Sequence, residues 1–137
     1  MFLVDTNIWL ERLLDQDRSE EVRDFLQRVS NDRLYLTDFT LHSIGIILLK
    51  LGEAQTFSRF VQDVLIDGAV RLVGLQPDDM TSIVDAAGKY HLDFDDAYQY
   101  AASGKFDFQF VGAIIRLIRC RVGFRFDHDA PRWTCES

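Results

Sequence analysis

The sequence predicts an α/β domain in three layers, with a parallel sheet of four or five strands flanked by helices. Three observations support this fold class. Short apolar runs alternate with longer segments of helical spacing, which is the pattern of parallel strands joined by right-handed crossovers. The first apolar run is hydrophobic without interruption, as expected of a strand covered on both faces. Finally, 47% hydrophobic and 27% charged residues in a chain of 137 are typical of one globular domain.

Four apolar runs predict the strands, and they cover residues 2–4, 34–36, 69–75 and 108–111. Six segments with helical spacing predict the helices, and they cover residues 8–14, 20–29, 38–51, 56–66, 77–90 and 94–103. Ser19 and Asp93 are the expected N-caps of the second and sixth helices. Gly52 is expected to end the third helix and Gly68 the fourth. The sequence assigns no element to residues 113–126. With two prolines and no Gly/Ser-rich linker, we expect a single domain over 1–137.

Charge and cysteine content limit the classes of function. A net charge of −7 argues against non-specific capture of nucleic acid by the whole surface, which normally requires a basic protein. It remains compatible with a nuclease whose carboxylates bind a metal, or with a protein that binds a basic partner. Cys120 and Cys135 are too far apart for a CxxC motif, and we expect them to be free thiols. The apolar start meets Asp5 at once, so we expect no signal peptide and a cytoplasmic location.

Asp5 is the first candidate for a functional site. It follows the first strand directly, and it is followed by the small polar residues Thr6 and Asn7. Ligand sites in parallel sheets form beyond the carboxyl ends of the strands, where this acid is expected to lie. The structural alternative is a strand-to-helix turn in which Asp5 or Thr6 caps the first helix.

The acidic segment at residues 93–97 is the second candidate. With Asp93 as N-cap, Asp95 and Asp96 fall in the first helical turn, where carboxylates also favour the helix dipole. The segment alone is therefore compatible with an ordinary acid-rich helix start. Carboxylates converging with Asp5 at one edge of a sheet would repel one another unless a cation lay between them. Oxygen ligands suit Mg²⁺ or Mn²⁺, which activate water and neutralise a phosphodiester.

Three segments of the chain resemble the PIN-domain ribonucleases in order and spacing: LVDTNIWL at the start, LTDFTLHS, and LDFDDAYQYAAS in the second half. The family includes the toxin subunits of bacterial VapBC toxin–antitoxin pairs. The resemblance covers roughly residues 1–111. It implies that Asp5 and Asp96 bind Mg²⁺ or Mn²⁺, that the substrate is RNA, and that an antitoxin protein is a partner. It further implies that Asp95 or Asp38 assists through a water, and that Thr6, Asn7 and Ser43 orient ligands or substrate.

The sequence departs from the family pattern at two positions. The family usually has a glutamate on the helix after the second strand, where this chain has Ser43. Asp38 lies about one turn earlier and is a candidate substitute, or an N-cap. The family also tends to place an acid just after the fourth strand, where this chain reads Val111-Gly112-Ala113. Asp107 lies at the wrong end of that strand, and Asp127 and Asp129 qualify only if the tail folds back.

The C-terminal segment, residues 113–137, is atypical of the family. Arginines between positions 116 and 125 alternate with apolar residues, and Phe124, Phe126 and Trp133 are nearby. Such a pattern suits phosphate pairing and base stacking on RNA. A partly buried element with a solvated basic edge is the favoured alternative.

The helix at residues 38–51 is apolar nearly all round, which predicts burial on most sides. It is either a central core helix or the face of a homodimer, and we favour the dimer.

Two further classes of function remain open. The first is a non-catalytic PIN-like module that binds or dimerises and has a degenerate acidic centre. The second is an unrelated small α/β domain such as a flavodoxin-like receiver. Receivers place an acidic pair early in the chain, and residues 1–6 leave no room for one.

Overall fold

The computed structural model describes residues 1–112 together with the strands at 124–127 and 132–135. The strands are β1 (Phe2–Val4), β2 (Leu34–Thr37), β3 (Arg71–Val73), β4 (Gln109–Val111), β5 (Phe124–Asp127) and β6 (Arg132–Cys135). The α-helices are α1 (Thr6–Leu13), α2 (Ser19–Arg28), α3 (Asp38–Lys50), α4 (Ala54–Phe60), α5 (Met80–Tyr90) and α6 (Phe94–Phe106). A π-helical segment, Val61–Ile66, continues α4, and short 3₁₀ turns at Asn31–Arg33 and Pro77–Asp79 precede β2 and α5.

The strands form one sheet in the order β3-β2-β1-β4-β5-β6. The first four strands in this order are parallel, with β1 between β2 and β4. The predicted parallel sheet is therefore confirmed. The last two strands add an antiparallel extension beside β4 that the sequence did not indicate.

Apolar side chains cover both faces of the sheet, as the continuous hydrophobicity of β1 predicts. Phe2 and Val4 pack into a cluster formed with α1, α2 and α3, whereas Leu3 packs into a second cluster with α5 and α6. Alternate residues of one strand thus enter opposite layers, because successive side chains of a strand point to opposite faces. The result is the predicted three-layer architecture. No helix in the described part of the chain is long and apolar enough to cross a bilayer.

Two predicted caps are wrong, and in each case a neighbouring residue lies at the cap. Arg18 precedes α2 at the N-cap, and the predicted cap Ser19 is buried within the helix, where its hydroxyl accepts a hydrogen bond from Arg12 Nη1 at 2.9 Å. For α3 the N-cap is Thr37, whose Oγ1 accepts from Thr40 N at 3.0 Å, so Asp38 is the first helical residue. The expected end at Gly52 is confirmed, with a φ of 73° that favours glycine.

Helix α3 is buried on one side only, contrary to the expectation that most of it is enclosed. Ile44 and Leu48 are fully buried in the core. On the outer side Ile46 and Leu49 are 44% and 58% exposed, and both line one groove. We call these two residues the outer α3 face.

Candidate active site at the carboxyl edge of the sheet

Asp5 lies where β1 meets α1, at the carboxyl edge of the sheet. Its backbone N–H donates to Val111 O at 2.9 Å, which holds it beside the end of β4. Its side chain caps α1, because Oδ1 accepts from Thr6 N at 2.7 Å. Oδ1 also accepts from Gln99 Nε2 of α6 at 3.3 Å. Both hydrogen bonds therefore end on one oxygen. The alternative that Asp5 is a helix cap is confirmed, but the cap leaves Oδ2 available for another ligand.

The start of α6 brings two more carboxylates to this edge. Asp93 is the N-cap, as predicted, and its Oδ1 accepts from Asp96 N at 2.9 Å. Asp95 and Asp96 follow in the first turn, and both are exposed. The cap fixes the first turn and thereby sets where Asp96 lies relative to Asp5.

The electrostatics of Asp5 show that these acids share one region. Burial of the carboxylate raises the pKa of Asp5 from 3.8 to about 6, and repulsion from Asp96 and Asp95 adds to the rise. The hydrogen bonds from Thr6 and Gln99 act against it, since they stabilise the charged form. The structure thus brings Asp5 within electrostatic reach of two acids more than 85 positions later in the chain.

Asp96 is affected in the same sense. Partial desolvation raises the pKa of its carboxyl, as do the charges of Asp93 and Asp95 and a side-chain hydrogen bond with Asp93. The charged forms of Asp5 and Asp96 are therefore both less stable at this edge than they would be in water.

A buried polar network lies beneath the acids, and the sequence analysis missed it. Gln99 and Thr40 are 3% and 0% exposed. Gln99 Nε2 bridges Asp5 Oδ1 and Thr40 Oγ1, the latter at 2.9 Å, and the hydroxyls of Thr37 and Thr6 contact Thr40 Oγ1 at 3.2 and 3.4 Å. Gln99 Oε1 is buried without a hydrogen-bond partner among the described residues. The network joins the ends of β1 and β2 to α6.

Two sequence signals could have revealed the network. Thr37 ends β2 at the edge where Asp5 follows β1. Gln99 lies three positions after Asp96, which places the two on neighbouring positions of one helix face. Gln99 was not predicted because it lies within the sixth helix, whereas the uncharged candidates Thr6 and Asn7 were chosen for following a strand end directly.

Asp38 is held by Tyr98 and not by Asp5. Its Oδ1 accepts from Tyr98 Oη at 2.6 Å and from Phe39 N at 2.8 Å. Tyr98 Oη in turn accepts from Leu75 N at 3.1 Å. A Cβ added to Gly74 would lie 2.9 Å from Asp38 Oδ2, so a glycine there permits the approach. Burial and the hydrogen bond to Asp38 raise the pKa of Tyr98 to about 12, which keeps the phenol protonated.

The remaining predicted residues lie around this edge. Thr6 is half-buried and belongs to the network, Asn7 is exposed in the first turn of α1, and Ser43 is half-buried one turn after Thr40 on α3.

Asp107 ends α6, before β4, as expected. Asp127 lies in β5, which runs antiparallel to β4 from the pair Phe110–Phe124, so it is displaced toward the opposite edge of the sheet. Position 129 and the side chains of the predicted RNA-binding tail lie outside the described residues.

The donors at this edge fit a divalent cation bound by few protein ligands. Asp96 and Asp95 raise the pKa of Asp5 by repulsion, and Gln99, whose Nε2 donates to Asp5, has a buried Oε1 without a hydrogen-bond partner among the described residues. Mg²⁺ is commonly held by one or two carboxylates, with waters and substrate oxygens completing its shell. Within the part of the chain that the structure describes, no three His, Cys, Asp or Glu side chains form a metal-binding group. Asp95 and Asp93 lie near Asp5 and Asp96, but they do not form a metal-binding group of three with them there.

A family model matches the sequence of this chain, and solved structures match its fold. The model of the PIN domain family matches residues 2–111. No curated protein matches the sequence. Among solved structures, the Mycobacterium tuberculosis toxin VapC20, described as cleaving the sarcin-ricin loop, has a TM-score of 0.69 at 13% identity, with 80% of this chain and 85% of that one covered.

Two further structures are similar to the same extent. FitAcB from Neisseria gonorrhoeae has a TM-score of 0.66 at 21% identity, covering 81% of this chain and 86% of that one. A toxin–antitoxin complex from Klebsiella pneumoniae has a TM-score of 0.64 at 18% identity, covering 81% and 84%. At these identities the likeness shows a common fold.

Proposed function

This chain belongs to the PIN domain family, and from that premise we propose that it is a metal-dependent endoribonuclease whose centre is Asp5 and Asp96. One observation carries the proposal. Asp5 is buried at the carboxyl edge of a parallel sheet, within electrostatic reach of Asp95 and Asp96 from the far end of the domain, and burial together with repulsion from these acids raises its pKa to about 6. A cation would remove that repulsion, and two carboxylates suffice for Mg²⁺ or Mn²⁺ when substrate supplies further oxygens.

Each residue at this edge has a separate role in the proposed centre. Asp5, through Oδ2, and Asp96 bind the cation. Gln99 and the Thr6 backbone hold Asp5 Oδ1, which fixes the direction of the carboxylate. Asn7 and Ser43 donate hydrogen bonds to substrate or ligands from the flanking helices. These orienting roles follow from position, since Asn7 is exposed in the first turn of α1 and Ser43 lies one turn beyond Thr40.

Hydrolysis of the phosphodiester requires a water to attack phosphorus and the departing ribose oxygen to receive a proton. When bound, Mg²⁺ or Mn²⁺ supplies Lewis-acid chemistry, lowering the pKa of water and neutralising the phosphate. Asp95, exposed next to Asp96, holds the attacking water by a hydrogen bond and accepts its proton, and a solvent water donates a proton to the departing ribose oxygen. Asp38 was the other candidate for this role, but its hydrogen bonds to Tyr98 and Phe39 favour a structural one.

The rival proposal is a PIN-like module that binds or dimerises without catalysis. It is favoured by the lack of a third metal-binding acid in the described part of the site, and by Ser43 and the acid-free run after Val111, where the family usually has acids. Titration calorimetry with Mn²⁺ distinguishes the two. Binding that depends on Asp96 supports the nuclease, and no heat at millimolar Mn²⁺ supports the module.

The direct experiment measures cleavage of a labelled RNA pool with Mg²⁺ by the wild type, D5N and D24N. Asparagine keeps the oxygen that caps α1 but removes the charge. We expect D5N to lose cleavage by at least a hundredfold and to remain folded. D24N changes an exposed aspartate of α2, away from the edge, and is expected to match the wild type. Full activity in D5N would rule out the proposed centre.

The fold also supports a partner. Its structural neighbours include a toxin–antitoxin complex, and we propose that this chain is the toxin of such a pair, restrained by an antitoxin protein in the cytoplasm. We further propose a homodimer through the outer α3 face. That face borders a groove of about 580 Å³ lined by Leu41, Gly45, Ile46, Leu49 and Phe57 among others.

A further inference from the structure

An exposed aromatic ring lies beside the acidic edge and is not explained by the core. Phe94 is the first residue of α6, two positions before Asp96, and 53% of its surface is exposed. An aromatic ring that remains largely in water forgoes the stabilisation that burial would provide. The exposure is set by the fold, because Asp93 caps the helix and fixes the position of the residue that follows it.

Phe94 is supported from behind by two other rings. Its centroid lies 6.3 Å from that of Phe39 and 6.1 Å from that of Tyr98, and the last two rings are 5.4 Å apart. Tyr98 is 6% exposed and is tied by hydrogen bonds to Asp38 and Leu75, so the base of this cluster is rigid. We call Phe39, Phe94 and Tyr98 the aromatic platform.

The platform has a composition that distinguishes it from the other exposed apolar surface of the chain. The outer α3 face is aliphatic, which suits another protein, whereas the platform presents an aromatic ring next to unneutralised carboxylates. A nucleobase stacks well on such a ring, with about 1–3 kcal/mol lost on substitution by alanine. Stacking is also independent of charge, so the acidic surroundings do not weaken it.

We propose that Phe94 is a substrate-positioning residue that stacks on a nucleobase of single-stranded RNA adjacent to the bond being cut. The inference rests on the proposed nuclease function and adds a substrate-positioning residue to it. A base inside a duplex is already stacked on both sides and cannot use the platform, so the site selects unpaired nucleotides. It also assigns Asp38 its role, which is to anchor Tyr98 beneath Phe94.

Steady-state cleavage of a single-stranded oligoribonucleotide with Mg²⁺ tests the proposal, using F94A, F94L and F94W. We expect KM to rise about tenfold in F94A, with kcat within about twofold of the wild type. F94L keeps an apolar side chain but loses the ring, so it should resemble F94A, whereas F94W should restore a KM close to that of the wild type. V84A is the matched control, because Val84 is 67% exposed on α5 and away from the edge.

The outcomes separate this inference from the proposed function. If D5N abolishes cleavage but F94A and F94L keep the wild-type KM, the nuclease stands and the platform is not a base-stacking site. If F94A changes only the self-association of the protein, Phe94 belongs to a protein interface and the inference is overturned. If the wild type neither cleaves nor binds single-stranded RNA, both proposals fail. If F94A does not fold, the KM values of F94L and F94W test the proposal instead.

Discussion

Asp5 has one observed role and one proposed role. It presents an oxygen to the first turn of α1 as the N-cap, and as the proposed metal ligand it would also present one to a cation. The geometry allows both roles by placing both accepted hydrogen bonds on Oδ1. As a result, the carboxylate of Asp5 is buried close to two other acids, which makes its charged form less stable. The raised pKa of Asp5 in the absence of metal reflects this loss of stability.

This raised pKa predicts a pH-dependent stability. The pKa of Asp5 is about 6 in the folded protein against an ordinary value of 3.8, so folding favours the protonated carboxyl. Its contribution is complete below pH 3.8 and is lost as the pH rises through about 6. In EDTA, wild-type stability should therefore fall relative to that of D5N between pH 4 and pH 7, by up to about 3 kcal/mol.

Urea unfolding of both proteins at pH 4, 5 and 7 measures the difference. Saturating Mn²⁺ should reverse the order at pH 7, because the cation stabilises the wild type alone. An equal urea midpoint for wild type and D5N at pH 7 in EDTA would contradict the assigned burial of Asp5. D24N serves again as the control and should follow the wild type at every pH.

At the scale of single elements, α6 carries most of the site. Its first turns contribute Asp95 and Asp96 to the acidic edge, Gln99 to the buried network, and Phe94 and Tyr98 to the aromatic platform. The orientation of all five depends on where the helix begins, and Asp93 determines that point by accepting from Asp96 N.

The cap of α6 therefore links stability to metal binding. D93A removes the accepting oxygen and should cost about 1 kcal/mol, which lowers the melting temperature by roughly 4 °C in a domain of this size. Mn²⁺ affinity should fall with it, because the first turn frays and Asp96 is no longer held. D93N keeps a capping oxygen and is expected to retain the melting temperature. A D93A protein with unchanged melting temperature and Mn²⁺ affinity would show that the cap does not control the site.

The elements could be predicted from sequence wherever periodicity alone decides them. The four parallel strands and the six helices are confirmed, since each has a run or a spacing that only one conformation satisfies. The cap at Ser19 was wrong because the tertiary contact with Arg12 Nη1 and burial outweigh capping propensity. The antiparallel strands β5 and β6 do alternate apolar and polar residues, but each has only four residues, and so short a pattern did not by itself predict a strand.

The candidate site could be predicted only in part, for a related reason. Asp5 and Asp96 were found because charge at a strand end and at a helix start is conspicuous in a sequence. Gln99 and Thr40 were missed because buried neutral donors are conspicuous only when their partners are known, and these come from α3 and α1. Long-range hydrogen bonding is a property of the folded chain, whereas periodicity is a property of each segment.

At the scale of the whole molecule, the net charge of −7 and the acidic edge oppose the approach of RNA. Non-specific capture of phosphates by the whole surface is therefore not how this protein would bind a substrate. The cation and the aromatic platform supply attraction without requiring one. Binding through these two features would depend on divalent metal far more than on the screening of surface charge by salt.

The outer α3 face leads to the last prediction, which concerns assembly. Two aliphatic side chains that are 44% and 58% exposed on one side of a helix are stabilised when a second surface covers them. We expect the wild type to sediment at twice the mass of the chain in the micromolar range. L49D should sediment as a monomer, because an unpaired carboxylate cannot be buried in an apolar interface without several kcal/mol of penalty. V84D adds the same charge to an exposed position of α5 and should remain dimeric. A wild type that is monomeric at every concentration would contradict the homodimer. The outer α3 face would then have to be covered by a different protein, and the antitoxin would be the partner to test.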